Sequence, residues 1–245
     1  MKIKIFIVMA ITACLSFAQS ELAKPAPREH RGFYSNTSFS LAYNWYKASL
    51  EDVDEWGSSD GYGGSERVVD YFEFYGGSFP MFEFKFGTAL ADLVALYSVF
   101  NIGFHMGVMD WSYKKYYKDC LIDEKCEVRQ KSDEESSDAY SFRSYIGFGS
   151  TFYPFRDKNS GLNGFFIGGS VGYTVFATVI IGGEENACGN AGPGFELELG
   201  KDWWVNDHLS IGVGLGFAHS SLVWNTVSSH SSDNVISIAF RMTRG

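Results

Sequence analysis

Seven charged side chains stand where charge is costly: Glu83, Lys85, Arg143, Glu196, Glu198, Asp202 and Arg241 all fall within runs that alternate with large apolar residues. In Phe82-Glu83-Phe84-Lys85-Phe86 and Phe195-Glu196-Leu197-Glu198-Leu199 the charges occupy every second position. An extended chain would therefore collect them on one face and the apolar side chains on the other. Both signs are present, so an enclosed face can hold them as ion pairs, whereas seven charges in the dry core of a soluble sandwich would cost far too much. They are expected to form a polar network inside a barrel.

Acid–base or nucleophilic chemistry needs a histidine within hydrogen-bond reach of an acid and a serine. His105, His219 and His230 fall toward the outer ends of strands or in the last loop, with Asp110, Ser220, Ser221 and Ser229 near them in sequence. His30 precedes the strands and His208 occupies a short turn on the opposite side. No GxSxG elbow accompanies them, so no catalytic residue is assigned and a rim hydrolase or acyltransferase ranks below the other readings.

Trp45, Trp111, Tyr113 and Tyr116 lie near outer strand ends and form a candidate platform for stacking sugars. An interfacial aromatic belt accounts for the same residues, and for Trp203 and Trp204. Cys120 and Cys126 suit a small stapled loop in an oxidising compartment, leaving Cys188 free, or else bridging to one of them. Metal or redox spacing of the CxxC type is missing, so no metal and no cofactor is expected. Asp133, Glu134, Glu135 and Asp138 read as a solvated acidic run, with divalent cations among lipopolysaccharide phosphates as the alternative.

The elements that must position these residues repeat one pattern. Phe33, Ser35, Thr37, Phe39, Leu41, Tyr43 and Trp45 alternate with Tyr34, Asn36, Ser38, Ser40, Ala42 and Asn44. Further strands are expected over Phe79–Leu90, Leu93–Val108, Ser141–Pro154 and Phe165–Thr178, then around Phe195–Gly200, Leu209–Ala218 and Ile236–Met242. Loops of about 32, 32, 13 and 9 residues, the first three at 47–78, 109–140 and 180–192, fall on one side, and turns of about 2, 10 and 4 residues on the other. Eight strands, short turns facing one way and long loops the other, together with an apolar outer face, predict an all-β fold: a closed antiparallel eight-stranded transmembrane up-and-down β-barrel. Eight strands leave an interior just wide enough to be filled by side chains.

Export is predicted by the first residues: Lys2 and Lys4, the apolar stretch Ile5–Ala13, and the small-x-small site Ser16-Phe17-Ala18. The competing lipobox-like segment Ile11-Thr12-Ala13-Cys14 would instead lipidate Cys14. The chain thus divides into a signal peptide (1–18), a periplasmic lead-in (19–30) and the barrel (31–245). Cleavage removes Lys2 and Lys4 and takes the formal charge from −9 to −11, a balance that excludes a nucleic-acid partner.

The segment Gly194-Phe195-Glu196-Leu197-Glu198-Leu199-Gly200-Lys201-Asp202-Trp203-Trp204-Val205, followed by Leu209-Ser210-Ile211-Gly212-Val213-Gly214, resembles a strand–turn–strand pattern of small outer-membrane β-barrel proteins of Gram-negative bacteria, and Phe82–Leu96 is similar in kind. The resemblance implies a fold and an outer-membrane location and carries no catalytic residues across. The chain departs from it in closing on Phe240-Arg241-Met242-Thr243-Arg244-Gly245, where such barrels end in an aromatic residue; Phe240 would have to serve that role from within. The expected protein is a monomeric barrel with a filled lumen, in contact with outer-membrane lipid and lipopolysaccharide. Its long outer loops would serve a structural role or contact a surface glycan or protein. Narrow transport of a small solute is the alternative.

Overall fold

The computed structural model of the chain describes residues 30–57, 63–120, 127–181, 187–223 and 230–245. Eight strands follow in order: β1 (Gly32–Gly57), β2 (Gly63–Leu90), β3 (Val94–Cys120), β4 (Glu127–Phe152), β5 (Phe165–Ile180), β6 (Ala187–Trp204), β7 (Leu209–Leu222) and β8 (His230–Arg244). Each pairs antiparallel with its successor and β1 pairs with β8, which closes the sheet into an up-and-down barrel. The side-chain pattern explains the closure. Phe104, Ile146 and Val171 are 64%, 63% and 69% exposed on the outer wall, and comparable residues ring it on all eight strands. Such a continuous apolar surface is stable against lipid, and lipid tolerates no unpaired strand edge.

Along β1 the outward set runs from Phe33 to Trp45. Twelve steps at ~3.3 Å give about 40 Å of strand, or about 30 Å of height at the ~40° tilt of such barrels, the thickness of a hydrocarbon core. At the short-turn end, β2 passes into β3 through Ala91, Asp92 and Leu93; the Leu93 N–H donates to the Leu90 carbonyl at 3.1 Å, and Ala91 and Asp92 are both left-handed with φ of 53° and 54°, as a type I′ turn requires.

Three expectations need correction. The segments 47–78 and 109–140 are strand for most of their length: β1 pairs with β2 out to Gly57 and Gly63, and β3 with β4 out to Asp119 and Glu127. Beyond the lipid neither face needs to be apolar, so the alternation that marks a strand disappears while the ladder continues. Strand eight likewise starts at His230, well before Ile236. The alternation of Phe82, Phe84 and Phe86 carried on along the strand predicts Thr88 on the same outward face, yet Thr88 is buried and its hydroxyl donates to the Gly32 carbonyl at 3.0 Å. Register shifts between Ser40 and Ala42 and between Gly77 and Met81 mark bulges in β1–β2–β3 around Pro80, which has no N–H to give the ladder.

Candidate functional site

Inside the wall the seven charged residues singled out above converge, and an eighth joins them. Lys85 Nζ lies 3.1 Å from Glu83 and 2.5 Å from Glu198; Arg241 lies 3.0 Å from Glu198 and 3.1 Å from Asp202. Glu198 also accepts from the hydroxyls of Thr151 at 3.2 Å and Tyr97 at 3.3 Å. Nearer the outer mouth, Arg143 reaches Asp233 at 2.8 Å and Glu196 at 3.3 Å, and Asn44 donates to Asp233. Asp233 lies ahead of the stretch Ile236–Met242 in which apolar alternation marks the strand, so that alternation does not single it out. Yet Ser231, Asp233, Val235 and Ser237 keep the inward alternation of β8, and that signal could have found it.

Two apolar layers close the lumen at its ends. Across the outer mouth lie Tyr46, Ala48, Phe74, Met109, Ala139, Phe176 and Leu222, with the Tyr46 and Phe176 rings stacked at 4.5 Å. Across the short-turn mouth the His30 ring packs between Tyr153 at 4.4 Å and Trp204 at 4.5 Å. Trp204 therefore faces inward, and only Trp203 of the pair stands on the outer wall, 49% exposed. His30 is tied to the β2–β3 turn twice: its N–H donates to Asp92 Oδ1 at 3.0 Å, and the Asp92 N–H donates to its carbonyl at 3.2 Å. Burial, with Arg241 adding to it, holds the His30 imidazole down at about 3. Between the layers a cavity of ≈ 50 Å³, room for a few waters, is lined by Ser38, Glu83, Asn101, Arg143 and Glu196 among others.

The aromatic residues do not gather into one platform. Trp45 belongs to the outer wall, its ring 6.1 Å from that of Tyr43. Trp111 and Tyr113 sit on the opposite strand face, in line with buried Met109, with their rings 5.5 Å apart; Trp111 donates to Asp70 at 3.3 Å. Tyr116, an odd number of residues from both, faces the other way. Of the histidine sets, His105 and His219 can be placed, whereas Ser229 and the His230 side chain lie outside the described residues. His105 is wholly buried beneath the outer apolar layer, and His219 Nδ1 lies 2.8 Å from Asn234 Oδ1 while its neighbour Ser220 turns inward to Thr174 at 2.6 Å. The Cys120–Cys126 pairing involves Cys126, which lies outside the described residues, as do the signal peptide and Cys14.

Outside the barrel, the outer parts of β1–β4 form a four-stranded sheet. β8 pairs with β1 only as far as Ser49, and β5 pairs with β4 only from Ala139, so among the described residues both outer edges of this sheet are without a strand partner. It holds a groove of ≈ 560 Å³ lined by Tyr71, Glu73, Asp110, Trp111, Ser112, Lys114, Glu134, Glu135 and Ser136. Lys114 Nζ stands 5.3 Å over the Tyr71 ring. At the groove's margin Glu73 pairs with Lys47 at 3.0 Å and accepts from the Tyr75 hydroxyl; these two contacts hold its carboxyl below the usual range, the Tyr75 bond most.

No family model and no curated protein matches the sequence. Among solved structures the chain is similar to the outer membrane protein OprG from Pseudomonas aeruginosa, at 12% identity over 89% of this chain and 98% of that one, with a TM-score of 0.37. It is also similar to Ail, the attachment invasion locus protein of Yersinia pestis, solved with the heparin analogue sucrose octasulfate (7% identity, 84% and 98% covered, TM-score 0.32). A third is the outer membrane protease OmpT from Escherichia coli (8% identity, 93% and 99% covered, TM-score 0.35). The chain is a transmembrane β-barrel. Its closed eight-stranded ladder and apolar wall establish that architecture, and an architecture by itself assigns no chemistry.

Proposed function

We propose that the protein is an outer-membrane surface protein in which the barrel is an anchor and the β1–β4 extension meets a partner outside the cell. One observation carries this reading: β1–β4 run 26 to 28 residues while β5–β8 stop at 14 to 18, so a sheet whose two edges are without a strand partner among the described residues stands beyond the membrane on one side. At ~3.3 Å per residue the extra length is of order 30 Å, more than closing a barrel needs. The lumen supports the same reading, because ion pairs fill it and an apolar layer covers each end. Residues 1–18 would supply export, and the lead-in would end at the His30 plug.

The test trims the extension. Residues 50–71 and 110–137 are replaced by short turns, and both proteins are reconstituted in lipid nanodiscs. The trimmed barrel is expected to keep its heat-modifiable migration and to lose binding to candidate surface ligands, glycans and peptides, that the full protein retains. Equal binding by the two would overturn the assignment to the extension.

A further inference from the structure

Between its two apolar layers the lumen is out of charge balance. Five carboxylates, Glu83, Glu196, Glu198, Asp202 and Asp233, meet three cations, Lys85, Arg143 and Arg241. The pairs fall into two groups: Lys85 and Arg241 with Glu83, Glu198 and Asp202, and Arg143 with Glu196 and Asp233, each with one negative charge in excess. His105 hydrogen-bonds none of the five, since both its ring nitrogens are without a partner. Two uncompensated charges enclosed by apolar layers and hydrocarbon are costly to leave bare.

The cavity of ≈ 50 Å³ lies where the two groups face each other, lined by Glu83 and Lys85 of one and by Arg143 and Glu196 of the other. Its open surface is acidic: the Glu83 and Glu196 side chains keep 15% and 12% exposure, whereas Lys85 and Arg143, at 3% and 1%, are drawn back onto their partners. Each contact of Glu83 and of Glu196 at hydrogen-bond distance is made by Oε1, which leaves Oε2 of both for a further ligand. Asn101 adds an amide oxygen. It lines the cavity at 3% exposure, its Nδ2 donates to Glu196 at 3.3 Å, and its Oδ1 has no partner. The Nδ2 contact fixes the orientation of the amide, because the flipped form would set two acceptors together.

The donors on offer are all oxygen. Carboxylate, amide and water oxygens suit a hard cation, and a space the size of a few waters suits a bare or partly hydrated ion better than an organic one. Among the described residues no three of His, Cys, Asp and Glu come together as metal ligands, so water has to complete the shell. Two positive charges are what the two groups of pairs together lack.

We propose that the cavity binds one hard divalent cation, of the calcium or magnesium kind, between Glu83 and Glu196, with Asn101 Oδ1 and water as further ligands. The ion is a structural counter-charge that joins the two groups of pairs across the lumen and is enclosed as the barrel closes. This inference is independent of the surface-interaction reading. Glu83, Asn101 and Glu196 lie on β2, β3 and β6, so no short sequence spacing announces the site.

The test refolds the full chain from urea into detergent with calcium, with magnesium or with chelator alone, then strips exposed ions with chelator and counts the metal retained. The parent is expected to hold about one divalent ion per chain and to melt at a higher temperature than the same protein folded in chelator. Glu83→Gln/Glu196→Gln, checked for folding by heat-modifiable migration, is expected to retain none, and Asn101→Leu to release its ion about tenfold faster. Asp110→Asn/Glu134→Gln, which removes carboxylates from the extension, should retain as much as the parent. A parent that keeps no metal and melts alike in all three conditions would mean that protons balance the lumen, and overturns the proposal. Equal retention by the lumen variant would put the ion elsewhere and overturns it too. Should that variant fail to fold, an unchanged release rate in Asn101→Leu has the same force.

Discussion

Arg143 shows how narrow the tolerances of the lumen are. Its side chain is 1% exposed and divides its guanidinium between Asp233 and Glu196. Arg143→Met leaves both carboxylates without a cation, and breaking a buried pair this way costs about 3–5 kcal/mol. Urea unfolding in detergent is expected to show that loss, with Arg143→Met/Asp233→Asn recovering part of it; an unchanged unfolding free energy would remove Arg143 from the stabilising network. His30 supplies a pH dependence of definite sign. Docked, its imidazole stays neutral until about pH 3; released, it titrates near 6.5. Between these values only the released form takes a proton, so docking weakens about tenfold for each pH unit that falls below about 6.5, and pH has no effect above it. Trypsin cleavage after Arg31 is expected to speed up as pH falls through this window, relative to a trypsin control substrate, and His30→Phe should abolish the response. Of the site, the inward charges were legible because period two separates faces. Asp233 and the inward turn of Trp204 were not, since each lies at a strand end where alternation alone does not fix the face.

At the scale of elements, sequence patterning tracked the strands only where lipid enforces it. From Phe33 to Trp45, or from Leu209 to Ala218, one face meets hydrocarbon and the other the lumen, so the residue types alternate sharply. Past Lys47 and Asp110 both faces meet water, and the strands continue with no pattern to announce them. β7 shows the reverse dependence, an element shaped by what it must leave room for. Its inward face is Ser210, Gly212, Gly214, Gly216 and Ala218, opposite the bulky Arg241 and Phe166, whose guanidinium and ring lie 3.6 Å apart. A Cβ on Gly212 would stand 2.1 Å from Asp202 Oδ1 and 2.5 Å from the Lys201 carbonyl, so the Asp202–Arg241 pair has to move. Gly212→Ala is therefore expected to lower the thermal midpoint, with a cost of about 1–3 kcal/mol typical of overpacking. A Gly214→Ala control, whose new Cβ would lie 3.4 Å from Phe166 in ordinary contact, should cost less. Equal effects of the two would show that the lumen packs more loosely than these distances imply.

The whole molecule raises the question of whether anything passes through it. Three barriers lie in series along the axis: the Tyr46–Phe74–Phe176 layer, the ion-paired middle with its cavity of ≈ 50 Å³, and the His30–Tyr153–Trp204 layer. A permeating ion would have to displace aromatic rings at both ends and separate buried pairs between them, each at a cost of several kcal/mol. Opening one end should then be insufficient. In planar bilayers the parent protein is expected to be electrically silent, and Tyr46→Ala/Phe176→Ala, which removes the stacked pair from the outer layer, is expected to be silent as well. His30→Ala/Trp204→Ala should behave in the same way, because the Lys85–Glu198–Arg241–Asp202 chain still spans the lumen behind it. Steady conductance in the parent would contradict the filled lumen and favour narrow transport. Conductance in the outer-layer variant alone would mean that the ion-paired middle already holds a continuous water path, with the aromatic layer its only gate.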